Sequence, residues 1–211
     1  MTRPRCIESH SDFNEGIAEL CRLEPRFNNV VALCAPFDLR RTDDGFERLF
    51  SAIVSQQLSV AAAGTIWQRL VDADITDARA IQASNDETLR ALGLSKQKIG
   101  YARSLAEANI DFESLRGVSS QDVINTLTEV KGIGVWTAEI YAMFSLGHAD
   151  VFAHNDLALQ EGAKLLLKLE ERPSLRQMQV IATAWRPWRA VAARLLWAYY
   201  AHCKSQPGIR T

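Results

Sequence analysis

The sequence of 211 residues lacks several features that would point to particular classes of protein. It has no apolar run near the roughly 20 residues needed to span a bilayer, and its first residues lack the apolar segment of a secretory signal. Its four cysteines form no CxxC pair, and none lies at metal-ligand spacing from a histidine. An iron–sulfur cluster needs clustered thiolates, which are also absent. We therefore expect an intracellular protein with reduced cysteines, no metal site and no membrane contact.

The sequence also lacks an excess of charge of either sign, because its net charge is only −1. This balance argues against a nucleic-acid partner, but the distribution is uneven. Residues 172–211 hold seven basic residues and no Asp or Glu, so residues 1–171 sum to −8 (−1 minus 7). A second acid-free stretch, 90–103, holds four more. Such asymmetry can create a local basic face, although by itself an ordinary solvated surface explains it better. The seven basic residues are Arg172, Arg176, Arg186, Arg189, Arg194, Lys204 and Arg210.

Helical periodicity and capping signals recur along the whole chain, whereas strand alternation is almost absent. We therefore predict an all-α protein of roughly ten helices. Gly147 is predicted to end the helix that follows residue 134, and Asn155 to cap the next helix. Pro187 is expected in the first turn of the last long helix. Four serines are predicted at helix starts, the first of them in a capping box with Glu87: Ser84, Ser95, Ser119 and Ser174.

The most informative local pattern is Gly132-Ile133-Gly134, which lies between two predicted helices. Two glycines flanking an apolar residue allow a tight turn with positive φ. The amides from Gly132 to Val135 would then point outward at a helix N-terminus, where they can bind a phosphate without any charged side chain. Ile133 would pack between the two helices. For a GxG motif alone, a plain helix–helix corner is the better interpretation.

This hairpin is followed, 22 residues after Gly134, by Asp156, and the combination resembles the helix-hairpin-helix DNA glycosylase superfamily. Within it, the chain is most similar to the AlkA-type alkylpurine glycosylases (DNA-3-methyladenine glycosylase II). Five segments in the family's order carry the resemblance over roughly residues 45–200. They are AIVSQQLS at 52–59, LGLS at 92–95 with Lys98, GIGVWTA at 132–138, DVF at 150–152 ahead of Asp156, and WRPWR at 185–189.

Three departures from the family pattern accompany the resemblance. Lys131 and His154 stand where the family usually has prolines, at positions that do no chemistry in the family. The chain also lacks the extra N-terminal β-domain of the longest members. It therefore looks like a short form of the family with two domains.

The resemblance implies the DNA glycosylase fold, with two helical lobes and a DNA-binding cleft between them. We expect residues 46–148 to form the lobe that carries the hairpin, and residues 1–45 with 149–211 to form the lobe that carries Asp156, facing the cleft. The implied partner is double-stranded DNA containing damaged bases, bound by a monomer. The expected location is the bacterial cytoplasm and nucleoid, or the nucleus if the host is eukaryotic.

The chemistry implied by the resemblance centres on Asp156 as the catalytic carboxylate. Cleavage of an N-glycosidic bond builds positive charge on the deoxyribose, which a nearby carboxylate stabilises. Purines alkylated at N3 or N7 are already cationic leaving groups, so one carboxylate can suffice. Related enzymes with lyase activity carry a Schiff-base lysine two residues after the second hairpin glycine. Here that residue is Trp136, so we expect base release that leaves an intact abasic site.

Further roles follow from the resemblance. An extruded base needs aromatic faces to stack on, and something must fill the gap in the duplex. No cofactor is required, although a monovalent cation at the hairpin carbonyls is left open. The implied base pocket consists of Trp136, Trp197 and Tyr141, with core packing as the alternative for Trp197 and as the better interpretation for Tyr141. The implied wedge is Gln57, with Leu58 second. The implied DNA contacts are Lys131, Gly132, Ile133, Gly134, Val135 and Lys98.

Two rival interpretations keep the same fold. One is a non-catalytic binder of damaged or distorted DNA, which would bind such DNA tightly and release no base. The other is a glycosylase with different substrates, such as deaminated or oxidised bases. An aromatic pocket poor in acids argues mildly against the second rival.

Overall fold

The computed structural model describes residues 4–205, and within that range it contains helices and no β-strand. The single extended pairing there is an antiparallel bridge between Cys6 and His148. The all-α prediction is confirmed. Among the described residues, no helix is both long and apolar enough to cross a membrane. The chain divides into two compact units, residues 1–41 with 142–211 and residues 42–141. The sequence predicted two lobes, one of residues 46–148 and one of residues 1–45 with 149–211. Their status as separate domains stays a prediction.

The unit of residues 42–141 is built around the apolar face of its first helix. Leu49, Phe50, Ile53 and Val54 recur at helical spacing and are completely or almost completely buried. The Phe50 ring packs edge-on against Trp67, with 5.5 Å between ring centroids. The helices of this unit are α3 (Phe46–Ser55), α4 (Val60–Asp72), α5 (Ala78–Ala83), α6 (Asp86–Ala91), α7 (Lys96–Glu107), α8 (Phe112–Leu115), α9 (Ser120–Thr128) and most of α10 (Val135–Phe144).

The other unit is organised around its last helix, whose residues 190–196 are all buried. Small residues let neighbouring helices approach it closely. A Cβ at Gly16 would lie 2.7 Å from Trp188, and one at Gly162 would lie 2.8 Å from the backbone oxygen of Leu196. Both glycines are therefore packing requirements. The helices of this unit are α1 (His10–Leu23), α2 (Phe27–Cys34), α11 (Leu157–Leu167), α12 (Leu175–Thr183) and α13 (Arg189–Ser205).

The predicted helix starts are confirmed at three of the four serines. The side chains of Ser95, Ser119 and Ser174 accept hydrogen bonds from backbone amides three residues on. The prediction for Ser84 is wrong, because Asn85 caps α6 and accepts from the Thr88 amide. Ser84 instead ends α5, where its hydroxyl donates to a carbonyl one turn earlier.

Two predicted helix ends also need correction. Helix α10 ends at Phe144, and Gly147 lies three residues beyond it with φ +75°. Pro187 is not in the first turn of α13, which begins at Arg189. There are thirteen helices among the described residues, where roughly ten were predicted. Short helices such as α5 and α8, of six and four residues, carry little periodic signal.

Candidate functional site

Asp156 is the N-cap of α11, in the unit formed by residues 1–41 and 142–211. Its carboxylate oxygen Oδ1 accepts a hydrogen bond from the Leu159 amide at 3.0 Å. The prediction that Asn155 caps this helix is therefore wrong. Asn155 is exposed and lies one residue outside the cap, because the chain turns at Ala153, whose carbonyl accepts the Asp156 amide. Asp156 thus places a carboxylate at the positive end of the helix dipole.

A second donor reaches the same oxygen from α13. The indole Nε1 of Trp197 donates to Oδ1 of Asp156 at 3.2 Å. The Trp197 ring stacks on Phe144, with 6.0 Å between centroids and 26° between planes. The structure therefore brings Asp156 and Trp197 together, and it gives Trp197 an orienting contact to the carboxylate. Its predicted role as a wall of the base pocket stays a prediction.

The segment before Asp156 is held by packing and by hydrogen bonds. Phe152 is buried and its ring lies 5.2 Å from that of His154. The carbonyl of His154 accepts from the side chain of Gln160 at 3.0 Å. Asp150 pairs with Arg186 and Arg189, so its carboxylate has a structural role. These contacts fix the loop in which His154 stands at the position of the family's usual proline.

The hairpin between α9 and α10 uses its two glycines for different reasons. Gly132 has φ +100°, and a Cβ there would lie 2.3–2.7 Å from the Tyr101 side chain. Ile133 is buried, as predicted, and its amide donates to the Val130 carbonyl at 3.0 Å. A Cβ at Gly134 would meet nothing within 4 Å. Gly132 therefore permits the turn, whereas Gly134 leaves open space before α10.

The open space at Gly134 lies directly before the first turn of α10, which begins at the next residue. The amides in the first turn of an α-helix have no acceptors within the helix and can bind an anion. Val135 and Trp136 are 56% and 50% exposed, so this turn is accessible to a large ligand. The Lys131 side chain is exposed as well, and its amide donates to the hydroxyl of Ser104 at 3.2 Å.

Two side chains tie neighbouring backbone into this region. The amide of Gln56 donates from Nε2 to the Gly132 carbonyl at 2.8 Å. Lys98 donates from Nζ to the Val54 carbonyl at 2.6 Å, near the C-terminus of α3. Burial lowers the pKa of Lys98. The sequence did not predict the structural contact of Gln56, since only the fold brings residues 56 and 132 together.

The predicted wedge lies in the turn between α3 and α4. Gln57 is exposed and has φ +58°, a left-handed conformation that is uncommon for residues other than glycine. Leu58 is 40% exposed, and Val60 is 93% exposed. The turn therefore presents polar and apolar side chains to solvent. The exposure of Val60 was not predicted, because nothing in local periodicity distinguishes it from a core valine.

A cavity of about 450 Å³ lies next to this turn, within the unit of residues 42–141. Trp136 and Tyr141 both line it, together with Gln57. Tyr141 is 3% exposed, and its hydroxyl accepts from the Gly45 amide at 2.8 Å. Burial raises the pKa of Tyr141 to about 12, so the phenol is neutral. The remaining lining residues are Arg48, Leu49, Ala52, Ser55, Gln56, Thr137 and Ile140.

The basic residues of the C-terminal stretch are mostly engaged in internal contacts. Arg172 pairs with Glu161, and Arg186 and Arg189 pair with Asp150. Arg194 is buried and donates to two backbone carbonyls. Within residues 4–205, no group of three or more His, Cys, Asp or Glu side chains lies as metal ligands would. The last predicted basic residue, Arg210, lies outside the described residues.

Known proteins are similar to this chain in fold and in sequence. The model of the HhH-GPD superfamily of base excision DNA repair proteins matches residues 50–190. DNA-3-methyladenine glycosylase 1 of Schizosaccharomyces pombe is 30% identical over 190 residues, which cover 84% of this chain and 83% of that protein. The crystal structure of a DNA-3-methyladenine glycosidase from Bacillus halodurans gives a TM-score of 0.78 at 34% identity, covering 93% of this chain and 91% of that one. A Schizosaccharomyces pombe 3-methyladenine DNA glycosylase in complex with abasic DNA gives 0.74 at 30% identity, covering 87% and 95%.

Proposed function

Because the chain belongs to the HhH-GPD superfamily of base excision DNA repair proteins, we propose that it is a monofunctional DNA glycosylase for alkylated purines. It extrudes a damaged base from double-stranded DNA, hydrolyses the N-glycosidic bond and leaves an abasic site. The substrates are purines of the 3-methyladenine and 7-methylguanine type. The names of the relatives support this substrate class, and the complex of one relative with abasic DNA supports the product.

The observation that carries the proposal is the placement of Asp156. Its carboxylate is held at the N-terminus of α11 by two donors, the Leu159 amide and the Trp197 indole. A carboxylate fixed by hydrogen bonds in this way needs little reorganisation when positive charge develops on the sugar. It stabilises that charge or activates the attacking water. Because an alkylated purine leaves as a neutral base from a cationic nucleotide, no second acid is needed to protonate it.

One feature supports hydrolysis without lyase chemistry, and another supports DNA binding through backbone amides. The residue two positions after Gly134 is Trp136, which offers no amine for a Schiff base. The exposed first turn of α10 offers its amides to a DNA phosphate. Since most basic residues of the C-terminal stretch are paired or buried, we assign the hairpin the main share of phosphate contacts.

The remaining roles are proposals of the same kind. Trp136 and Tyr141 line the cavity that we propose for the extruded base, and Gln57 at its edge is the proposed wedge, with Leu58 second. Lys98 and Lys131 are the proposed basic contacts to phosphate. The protein acts as a monomer without a cofactor. We leave open a monovalent cation at the hairpin carbonyls. The Gly132 carbonyl oxygen already accepts a hydrogen bond from Gln56, so only its second lone pair would be available to such a cation.

A glycosylase assay tests the proposal. Duplexes that each carry one defined lesion are incubated with excess protein, and the released base and the alkali-labile abasic sites are quantified. The wild type releases 3-methyladenine and 7-methylguanine and leaves the strand intact before alkali treatment. Asp156→Asn retains a side chain that can cap α11, but it loses the charge, and release falls at least about 100-fold. Equal rates for both proteins would refute the catalytic role, and binding without any release would favour the non-catalytic rival.

A further inference from the structure

Arg48 is the one formally charged residue among the described residues that line the 450 Å³ cavity. It is half-buried in the first turn of α3. Its guanidinium forms no ion pair or hydrogen bond within residues 4–205, whereas many other arginines of the chain are paired. A cation that is half-buried and lacks an internal partner is free to interact with whatever occupies the cavity.

Helical spacing explains why Arg48 lines this cavity. Arg48, Ala52 and Ser55 stand at i, i+4 and i+7 on α3 and therefore share one face. On α10, two pairs at i, i+4 spacing supply lining residues of their own. These pairs are Trp136 with Ile140 and Thr137 with Tyr141. The cavity therefore combines one permanent positive charge with two aromatic side chains, and no acidic residue among its lining residues neutralises that charge.

The fixed charge and the aromatic rings act on a cationic base in opposite directions. Attraction between a cation and an aromatic face favours a cationic base by about two- to fivefold at exposed sites. Repulsion by a guanidinium disfavours it. For two unit charges, an assumed separation of about 6 Å gives a factor of about three in water-like surroundings, and more where the dielectric constant is lower. A neutral base suffers no such repulsion. If it carries an exocyclic oxygen or a ring nitrogen, it can also accept hydrogen bonds from the guanidinium.

We infer that Arg48 is a specificity-determining residue, which reduces the preference of the cavity for cationic purines and favours neutral purines with a hydrogen-bond acceptor. This inference rests on the proposed function, because it takes the cavity as the site of the extruded base. Beside the cationic purines of the proposed function, the cavity then also takes neutral purines with an exocyclic oxygen, which bind through the guanidinium. Substrate preference is then set by the balance between Arg48 and the ring of Trp136.

The experiment compares the ratio of kcat/KM for 7-methylguanine, which is cationic in DNA, to kcat/KM for hypoxanthine, which is neutral and carries an exocyclic oxygen. Arg48→Gln raises this ratio about five- to tenfold, mainly by faster release of 7-methylguanine and slower release of hypoxanthine. Arg48→Lys keeps the charge, so it preserves the discrimination against the cation, but it loses the planar pair of donors and releases hypoxanthine more slowly. Intrinsic differences in bond lability cancel in the comparison between proteins.

Arg79→Gln is the matched control. Arg79 lies exposed on α5, outside the cavity lining, and forms no ion pair within the described part of the chain. Its substitution changes the net charge equally, so it reproduces any general effect on DNA binding and leaves the ratio unchanged. An unchanged ratio in Arg48→Gln, or an equal rise in Arg79→Gln, would overturn the inference while leaving the proposed function intact.

A readout without turnover separates this inference from the proposed function. Calorimetric titration of the free proteins compares 3,9-dimethyladeninium, a permanent cation, with neutral 9-methylhypoxanthine. Arg48→Gln binds the cation more tightly relative to the neutral purine than the wild type does, by the same factor of about five to ten. This result supports the inference even for a protein that releases no base. Identical relative affinities in both proteins argue against it.

Discussion

Helices α10 and α11 use their N-terminal ends in opposite ways. The end of α11 is filled by the protein itself, because the Asp156 carboxylate accepts the Leu159 amide. The end of α10 follows Gly134, which has no side chain to cap the helix and leaves open space around its Cα. Both ends attract negative charge through the same partial charges. One holds an internal anion in place, and the other can accept an anion from a ligand.

The support behind the two ends differs as well. The Asp156 end depends on side chains from elsewhere in its unit, namely the Trp197 indole and the ring of Phe144 behind it. The Gly134 end depends on backbone geometry, with Gly132 in a left-handed turn against Tyr101. A substitution in the hairpin should therefore lower the stability of the fold. A substitution near Asp156 should instead change the orientation of its carboxylate. The following predictions test that contrast.

Gly132→Ala has the largest expected effect on stability. The new Cβ would lie 2.3–2.7 Å from the Tyr101 side chain, at a φ of +100° that alanine rarely adopts. We expect the free energy of unfolding to fall by about 2–4 kcal/mol, together with weaker DNA binding. Urea denaturation measures the first effect. A double variant, Gly132→Ala with Tyr101→Ala, should recover part of the loss. No recovery relative to Tyr101→Ala alone would mean that strain at φ, together with the contact to the Cβ of residue 101 that alanine retains, accounts for the change.

The pH dependence of stability should report the unit that contains Asp156. Burial, with a contribution from Arg41, lowers the pKa of His148 to about 4. The unfolded chain therefore binds a proton below about pH 6.5 that the folded chain refuses. The contribution of His148 to the free energy of unfolding is fully present above about pH 6.5. It is lost as the pH drops towards 4, by at most about 3 kcal/mol. Unfolding curves from pH 4 to 8 measure this slope. His148→Gln should flatten it, and an unchanged slope would assign it to other groups.

Sequence alone anticipates features that depend on neighbouring residues and misses those that depend on packing. The turn at Gly132 and the buried Ile133 follow from local pattern, and both are confirmed. The cap of α11 was assigned one residue too early. Its position depends on how residues 151–154 are anchored by Gln160 and the buried Phe152, which local signals do not encode.

Contacts across the sequence mark the other limit. Gln56 and Gly132 are 76 residues apart, and Lys98 and Val54 are 44 apart, so no spacing rule connects them. Arg48 could be assigned to a helix, but not to a cavity, because the facing wall comes from α10. Periodicity identifies the buried face of each helix, whereas the lining of a cavity depends on which faces meet.

Trp197→Phe tests whether the carboxylate depends on a side-chain donor. Phenylalanine keeps a ring to stack on Phe144, but it removes the N–H that reaches Asp156. A hydrogen bond to a charged group contributes about 1.5–3 kcal/mol, so we expect kcat for 7-methylguanine release to fall at least about tenfold, with little change in KM. Single-turnover kinetics measure the effect. A rise in KM at constant kcat would instead indicate that the indole contacts the base.

Gly134→Ala has the smallest expected effect on the fold and sharpens the contrast most. Its methyl group would meet nothing within 4 Å, and alanine is only a poorer N-cap than glycine, so the free energy of unfolding falls by about 1 kcal/mol or less. The same methyl group occupies space through which a phosphate must approach the Val135 amide at the start of α10. We therefore expect the Kd for undamaged duplex DNA to rise about threefold to tenfold at fixed salt. If Gly134→Ala binds DNA like the wild type while Gly132→Ala does not, the hairpin supports the fold without contacting phosphate, and the open end of α10 is not a binding site.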